Sequence, residues 1–340
     1  MNITTPLRKA VLSYCAEIGT DPLLVQGAGG NVSWKDGDTL WVKASGTWLA
    51  DALIKDIFVP VDLVDLRTAI QSGHYAVQPK VKNTSALRPS IETLLHALMP
   101  QRVVVHIHAI EVLACLVREN CAAELADKLT SLSHWALVAY HKPGAELAEG
   151  VANCLDVSPK TEIVFLANHG LVIGGDDIDC IKSALNELLS VLTNYKLDIK
   201  SNKSEIFIDD MASIDEYTPI DISEIHSLAL NEILFARVKN DWTLYPDHVV
   251  FLGSKAICFD SVIDFNEATI NKNECDLIFI KNVGVYNRTT FNLAKKVQLL
   301  CYFNIIVRQP LSAILKSLTQ KEIGELLDWD AERYRQNVAK

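Results

Sequence analysis

No apolar run in this 340-residue chain approaches the roughly 18 residues that a membrane-crossing helix needs, so no span is expected. The opening residues, MNITTPLRKAVLSYCAEIG, lack the apolar stretch and small-residue cleavage site of a secretory leader. Positive charge is in deficit: 32 Lys+Arg against 42 Asp+Glu leave a formal charge of −10. Without a basic block the chain has nothing to attract a phosphate backbone, so neither nucleic acid nor a membrane is the expected partner. The eight cysteines (15, 115, 121, 154, 180, 258, 275 and 301) are scattered, with no C-x-x-C pair. They read as reduced thiols of a cytoplasmic protein rather than a disulfide framework. Internal repeats and low-complexity tracts are also missing. What is present is an ordinary globular composition, 49% hydrophobic and 22% charged, long enough for one large or two medium domains.

Helical and strand-like patterns alternate along the chain, which points to an α/β fold. A helix is expected over 5–20, then strands at Asn31–Lys35 and Thr39–Lys43 around the turn Asp36-Gly37-Asp38. A helix follows over 62–72, another over 88–98 opening on Arg88-Pro89-Ser90, and a strand over 102–108. Helices 110–118, 121–130, 144–155 and 177–198 alternate with strands near 135–140 and 162–167. Residues 201–222, polar and acidic, read as a linker between a first domain (1–200) and a smaller α/β domain (223–340). In that second part the pattern gives a helix over 222–237, strands around 248–252, 256–258, 276–281 and 303–308, and helices over 289–301 and 319–336.

The most informative signal is His106 and His108, one residue apart after the apolar run Val103-Val104-Val105. On a strand, positions i and i+2 point the same way, so both imidazoles leave one face of a sheet. Two such rings beside an apolar run are costly to bury unless something satisfies them. His169 follows a second apolar strand in IVFLANHG, and Glu92 lies upstream on the expected helix, on one face with His96. Three neutral nitrogens and a carboxylate suit one divalent cation per chain, Zn²⁺ first, with Mn²⁺ or Co²⁺ as alternatives, and leave a position for substrate. Taken singly, each has a plainer reading: a turn histidine, or a solvated glutamate in a first helical turn. The remaining histidines, 74, 134, 141, 226 and 248, have no partner at ligand spacing and read as structural.

Two glycine-containing turns flank the expected hairpin, one before its first strand and one after its second. Gly27-Ala28-Gly29-Gly30-Asn31 lacks both the dinucleotide and the nucleoside-triphosphate fingerprints. Its glycines let backbone N–H groups and the Asn31 amide approach an anion, and Lys43-Ala44-Ser45-Gly46-Thr47 offers opposing donors. On local grounds both turns read equally well as plain hairpin turns.

The ordered set Gly30-Asn31-Val32-Ser33, Ala44-Ser45-Gly46, Pro89-Ser90-Ile91-Glu92 with His96, His106-Ile107-His108 and Asn168-His169-Gly170 resembles the class II aldolase/adducin family over roughly residues 5–200. The resemblance implies a three-layer α/β/α domain, metal ligation by His106, His108 and His169, and acid/base work by Glu92. It implies phosphate binding by Asn31, Ser45, Gly46 and Ser90, and a homo-oligomer, commonly a tetramer with sites between subunits. The stretches TLWVKASGTWLAD and YPDHVVFLG look more like the aldolase half of bifunctional rhamnulose-phosphate aldolase/dehydrogenase proteins, although no dinucleotide fingerprint follows here. Two departures stand out. Ile91 replaces the second of the paired serines of fuculose-phosphate aldolases. The tyrosine that those enzymes borrow from a neighbouring subunit has no match in 121–133, Tyr140 being the nearest.

The implied reaction is retro-aldol cleavage of a phosphorylated ketose to dihydroxyacetone phosphate and an aldehyde, through an enediolate stabilised by the cation. Decarboxylation of a 3-oxo sugar-acid phosphate or 4-epimerisation of a sugar phosphate would use the same ligands. An adducin-like interaction protein is the non-enzymatic alternative.

Overall fold

A computed structural model describes residues 5–82, 86–198, 213–268 and 275–338. Helix α1 (Pro6–Gly19) starts where the Thr5 hydroxyl accepts the Arg8 N–H and proline occupies the first turn. Strands β1 (Asn31–Asp36) and β2 (Thr39–Lys43) form the expected hairpin, turning through Gly37 at φ +55°. Then come β3 (Phe58–Asp62), α2 (Leu63–Gln71), α3 (Thr93–Leu98), β4 (Val103–Ile107), α4 (Ile110–Leu116) and α5 (Cys121–Lys128). They are followed by β5 (Trp135–Val138), α6 (Ala145–Val157), β6 (Ile163–Leu166), β7 (Gly170–Gly175) and α7 (Ile178–Val191). The seven strands make one sheet in the order β3-β2-β1-β4-β7-β6-β5, antiparallel except for the β5–β6 pair.

Each central strand divides its side chains between two cores, as a period of two requires. Val103, Val105 and Ile107 of β4 join Leu171 and Ile173 of β7 and Val32 and Trp34 of β1 under α1, α4 and α7. Val104, Val172 and Val164 face the other way, towards α3 and α6. The result is the expected α/β/α layering. Full burial of each of these valines contributes about 1.5–3 kcal/mol. His106 shares its face with Val104, and so points into the α3 side of the sheet.

The remaining elements are β8 (Thr218–Pro219), α8 (Ser227–Leu230), α9 (Glu232–Asn240), α10 (Pro246–Leu252), β9 (Cys258–Phe259) and α11 (Val262–Glu267). After them come β10 (Leu277–Ile280), β11 (Gly284–Asn287), α12 (Leu293–Ile306), α13 (Gln320–Leu327) and α14 (Asp330–Val338). A four-stranded sheet, β8-β11-β10-β9, anchors this α/β region. Of the expected linker, residues 201–212 lie outside the described residues. Residues 213–222 are not mere tether, since β8 pairs with the edge of β11. The core beneath α4 continues without a break into α12, through residues such as Leu113, Tyr302 and Ile305. A polar clasp reinforces the join: Arg118 donates to Gln309 Oε1 (2.8 Å) and the Arg308 carbonyl (2.9 Å), and Arg308 pairs with Glu111 at 2.7 Å. No helix among the described residues is long and apolar enough to cross a membrane.

Several expected elements differ. Residues 88–92 are not helical. The Ser45 N–H donates to the Arg88 carbonyl (2.9 Å) and the Ser90 N–H to the Lys43 carbonyl (3.2 Å), so this stretch runs extended beside the end of β2. The helix begins only at Thr93, with Glu92 at its N-cap position. The run at 248–252, expected as a strand, is α10: Pro246 starts it, and α12 and α13 cover it. Residues 303–306 likewise continue α12. A short run that is apolar on every side carries no period, and packing decides its form. The helix expected over 319–336 breaks into α13 and α14.

Buried His226 and His248 support an acid limit to stability. His226 accepts the Val285 N–H at Nδ1 (3.1 Å) and meets the Ile220 carbonyl at Nε2 (2.9 Å), while His248 Nδ1 accepts the Leu244 N–H (3.3 Å). Burial holds both below the usual imidazole range, His248 at about 3. The unfolded chain takes up protons near pH 6.5 while the folded chain does not. The contribution is therefore complete above pH 6.5 and is lost as pH falls from there, for His248 over the range down to about 3. Each such group steepens the loss by up to about 1.4 kcal/mol per pH unit. Urea unfolding at pH 7.5, 6 and 5 should show a shallower pH slope for His248→Asn than for wild type. Parallel slopes would remove His248 from this account.

Candidate metal centre

His106 lies on β4 in the middle of the sheet, directly opposite Asn31 of β1 and Val172 of β7. His108 follows the end of the strand. His169 arrives on the turn between β6 and β7, where Asn168 takes φ +54° and its amide donates to the Leu244 (2.9 Å) and Lys316 (2.6 Å) carbonyls. The two segments meet only because β4 and β7 are hydrogen-bonded neighbours. Gly170 is needed there: a Cβ would fall 2.7 Å from the Ile107 carbonyl oxygen and 2.9 Å from His108 Cδ2.

All three imidazoles are buried, and one ring nitrogen from each lies within 4.8 Å of the others. Nε2 of His106 and Nε2 of His108 are 3.2 Å apart. Tetrahedral ligands about 2.05 Å from zinc stand roughly 3.3 Å from one another, so this spacing is that of a ligand pair. His106 turns its other nitrogen, Nδ1, to the Leu171 carbonyl at 3.0 Å, which leaves Nε2 for the centre. Burial, the largest influence, pushes His106 down and His169 to about 3 against the pull of Glu92, so both are neutral at pH 7.

Glu92 closes one side, with Oε2 3.5 Å from His106 Nε2 and Oε1 3.4 Å from His169 Nε2. The Asn31 side-chain amide donates to Oε2 at 2.9 Å, and its Oδ1 contacts His96 Nε2. His96 Nδ1 in turn meets Ser33 Oγ at 2.8 Å. This relay orients the carboxylate and leaves His96 as support, not ligand. Burial pushes the Glu92 carboxyl up, while the imidazoles when charged and the Asn31 amide pull it down.

The family model for the class II aldolase and adducin N-terminal domain matches residues 9–192, which include all of these groups. The chain belongs to that family. It is 30% identical over 210 residues to the Bacillus subtilis protein described as "Uncharacterized oxidoreductase YuxG"; the match takes in 56% of this chain and 29% of that protein. Among solved structures, the N-terminal class II aldolase domain of a conserved Thermoplasma acidophilum protein is 27% identical, covering 55% of this chain and 96% of its own at a TM-score of 0.44. YgbL of Klebsiella pneumoniae, a putative aldolase/epimerase/decarboxylase by its description, is 20% identical over 55% of this chain and 86% of its own, at 0.42.

The class II aldolase fold gathers the other expected residues as well. Asn31, Ser45, Gly46, Ser90, Glu92, His108 and His169 line one cavity. Its further lining was not legible in the sequence: Lys43, whose ammonium donates to the Thr47 (2.7 Å) and Ala28 (3.1 Å) carbonyls, and Asp247, Glu332 and Arg335 of the C-terminal region. Burial, then Arg335 nearby, pushes Lys43 down to about 7. Arg335 grips Asp247 with both arms of its guanidinium (2.6 and 2.8 Å) and reaches Glu332 at 3.3 Å. Tyr140 is elsewhere, packed against the cluster of Val249, Leu318 and Ile323. Helix α14 fills the mouth. A Cβ on Gly46 would fall 2.6 Å from Val338 Cβ, and the cavity that remains is about 30 Å³, room for a water or two.

The residues fit a divalent cation. Buried Glu92 Oε1 has no hydrogen-bond partner, and at neutral pH the His106 and His169 rings beside the carboxyl carry no charge to balance it. A buried carboxylate in that position calls for a compensating positive charge. His106, His108 and His169 are the residues that would hold it.

Proposed function

We propose that this chain is a metal-dependent lyase that breaks a carbon–carbon bond of a phosphorylated ketose, giving dihydroxyacetone phosphate and an aldehyde. The observation that carries this reading is the convergence of three buried imidazoles beside one buried carboxylate. A divalent cation bound there, with Zn²⁺ the best match to three imidazoles, supplies Lewis acidity to the ketone and its neighbouring hydroxyl. Glu92 accepts the proton of the hydroxyl on the carbon that becomes the aldehyde. The bond's electron pair passes towards the former ketone oxygen as the aldehyde forms, and Glu92 returns the proton to the carbon left behind. Atoms and charge then balance without a further donor. Ser45, Gly46 and Ser90, with Lys43 beneath them, present hydroxyl, backbone and ammonium donors to the substrate phosphate. A ketose phosphate exceeds the room available, so its entry displaces α14, which holds the mouth through Arg335, Glu332 and Val338.

One observation favours a second reading on the same ligands. Among the described residues no tyrosine lines the cavity to assist the departing hydroxyl, and decarboxylation of a 3-oxo sugar-acid phosphate has no such hydroxyl to deprotonate. A screen of ketose phosphates and 3-oxo acid phosphates, reading aldehyde and carbon dioxide separately, decides between them. Aldehyde release supports the lyase, carbon dioxide the decarboxylase. Turnover of neither by protein carrying its full metal complement would sink both.

A further inference from the structure

His108 is the one imidazole of the three with a carboxylate behind it. Its Nε2 faces His106, and Asp247 Oδ2 lies 3.4 Å from its Nδ1 without completing a hydrogen bond. Asp247 comes from α10, in a part of the chain that the family model does not reach. The carboxylate is itself clamped, by the two Arg335 bonds from α14 and by the Gln298 amide of α12 at 3.3 Å. The glycine loop passes close to the meeting point. A Cβ on Gly29 would stand 3.1 Å from Asp247 Oδ2 and 3.3 Å from His108 Nδ1.

From this geometry we infer that Asp247 is a positioning residue of the metal centre. It keeps the His108 proton on Nδ1 and turns Nε2 towards the other two rings, so the C-terminal region completes a site that the family domain begins. This inference rests on the metal reading proposed above. The physical reason is general. A ligating imidazole whose far N–H faces a fixed carboxylate is held in one tautomer and orientation and is the more basic ligand, and loss of such a partner weakens metal binding by about 10- to 100-fold. His106 receives the same service from the Leu171 carbonyl.

The test uses the full chain and Co²⁺ as probe, with affinity measured by competition against a chromophoric chelator and the visible spectrum recorded for each complex. Two variants are compared with wild type: Asp247→Asn, and Asp247→Asn with Arg335→Met, which also removes the guanidinium that would otherwise lose its main partner. The double variant keeps the comparison available should the single one fail to fold. Both should bind Co²⁺ about 10- to 100-fold more weakly, with an altered spectrum. A purely structural Asp247 predicts a lower apo-protein Tm with affinity and spectrum unchanged, and that result would overturn the inference while leaving the metal reading in place. Wild-type protein that takes up no Co²⁺ would overturn both.

Discussion

Glu92→Gln should lower kcat by about 10²- to 10⁴-fold, the range expected when a positioned acid/base is removed, while the metal stays bound. Glutamine matches the carboxylate in shape, so the Asn31 amide at 2.9 Å keeps an oxygen to donate to, and the relay to His96 and Ser33 is preserved. What is lost is the capacity to take and return a proton. Metal content and kcat measured on one preparation give the answer. Unchanged turnover would take Glu92 out of the chemistry, and loss of the ion along with activity would make it a ligand instead.

The second large effect is on the ion itself. Replacing His169 with alanine should reduce metal content from about one ion per chain to near zero and abolish turnover. A full zinc ligand set is worth about 10–16 kcal/mol at neutral pH, so losing one nitrogen of three weakens binding by at least about 100-fold. His169 is the best of the three to change, because it sits on a turn and its Nδ1 has no partner, whereas His106 is built into the centre of the sheet. Elemental analysis of His169→Ala beside an exposed control, His74→Ala, makes the comparison. Equal metal in the two proteins would disprove a site built on the three imidazoles. The fold should survive, since the Asn168 bonds to Leu244 and Lys316 do not involve the changed ring.

Local pattern foretold those parts whose form is set by neighbours in the chain. The β1–β2 hairpin, the capped start of α1 and the same-face pair of His106 and His108 all follow from short-range rules about turns, caps and strand period. Local pattern misled where packing overrides it. Arg88-Pro89-Ser90 has the residues of a helix start, yet backbone bonds to Lys43 and Ser45 draw it out beside β2, and this places Ser90 next to Ser45. The run from His248 to Leu252 is β-branched and apolar, but α12 and α13 enclose it as a helix. Strand β7 went unread because Gly174 and Gly175 look like a turn; in the sheet, Gly174 makes room for the Gln101 side chain, which a Cβ would meet at 2.3 Å.

By itself, the order of residues along the chain determined the layered α/β class, the family, the three imidazoles and the carboxylate between them, because each is written in contiguous motifs of fixed spacing. Tertiary structure alone decided that Asp247, Glu332 and Arg335 close the same cavity, that the buried Lys43 amine lies beneath it, and that α14 stands in its mouth. Lys43 comes from the end of β2 beside Ser45, whereas Asp247, Glu332 and Arg335 come from α10 and α14, beyond the family domain. The latter three reach the site only because the core under α4 runs on into α12 and seats the C-terminal helices over the histidines, and a contact made across that distance in sequence leaves no local pattern to read.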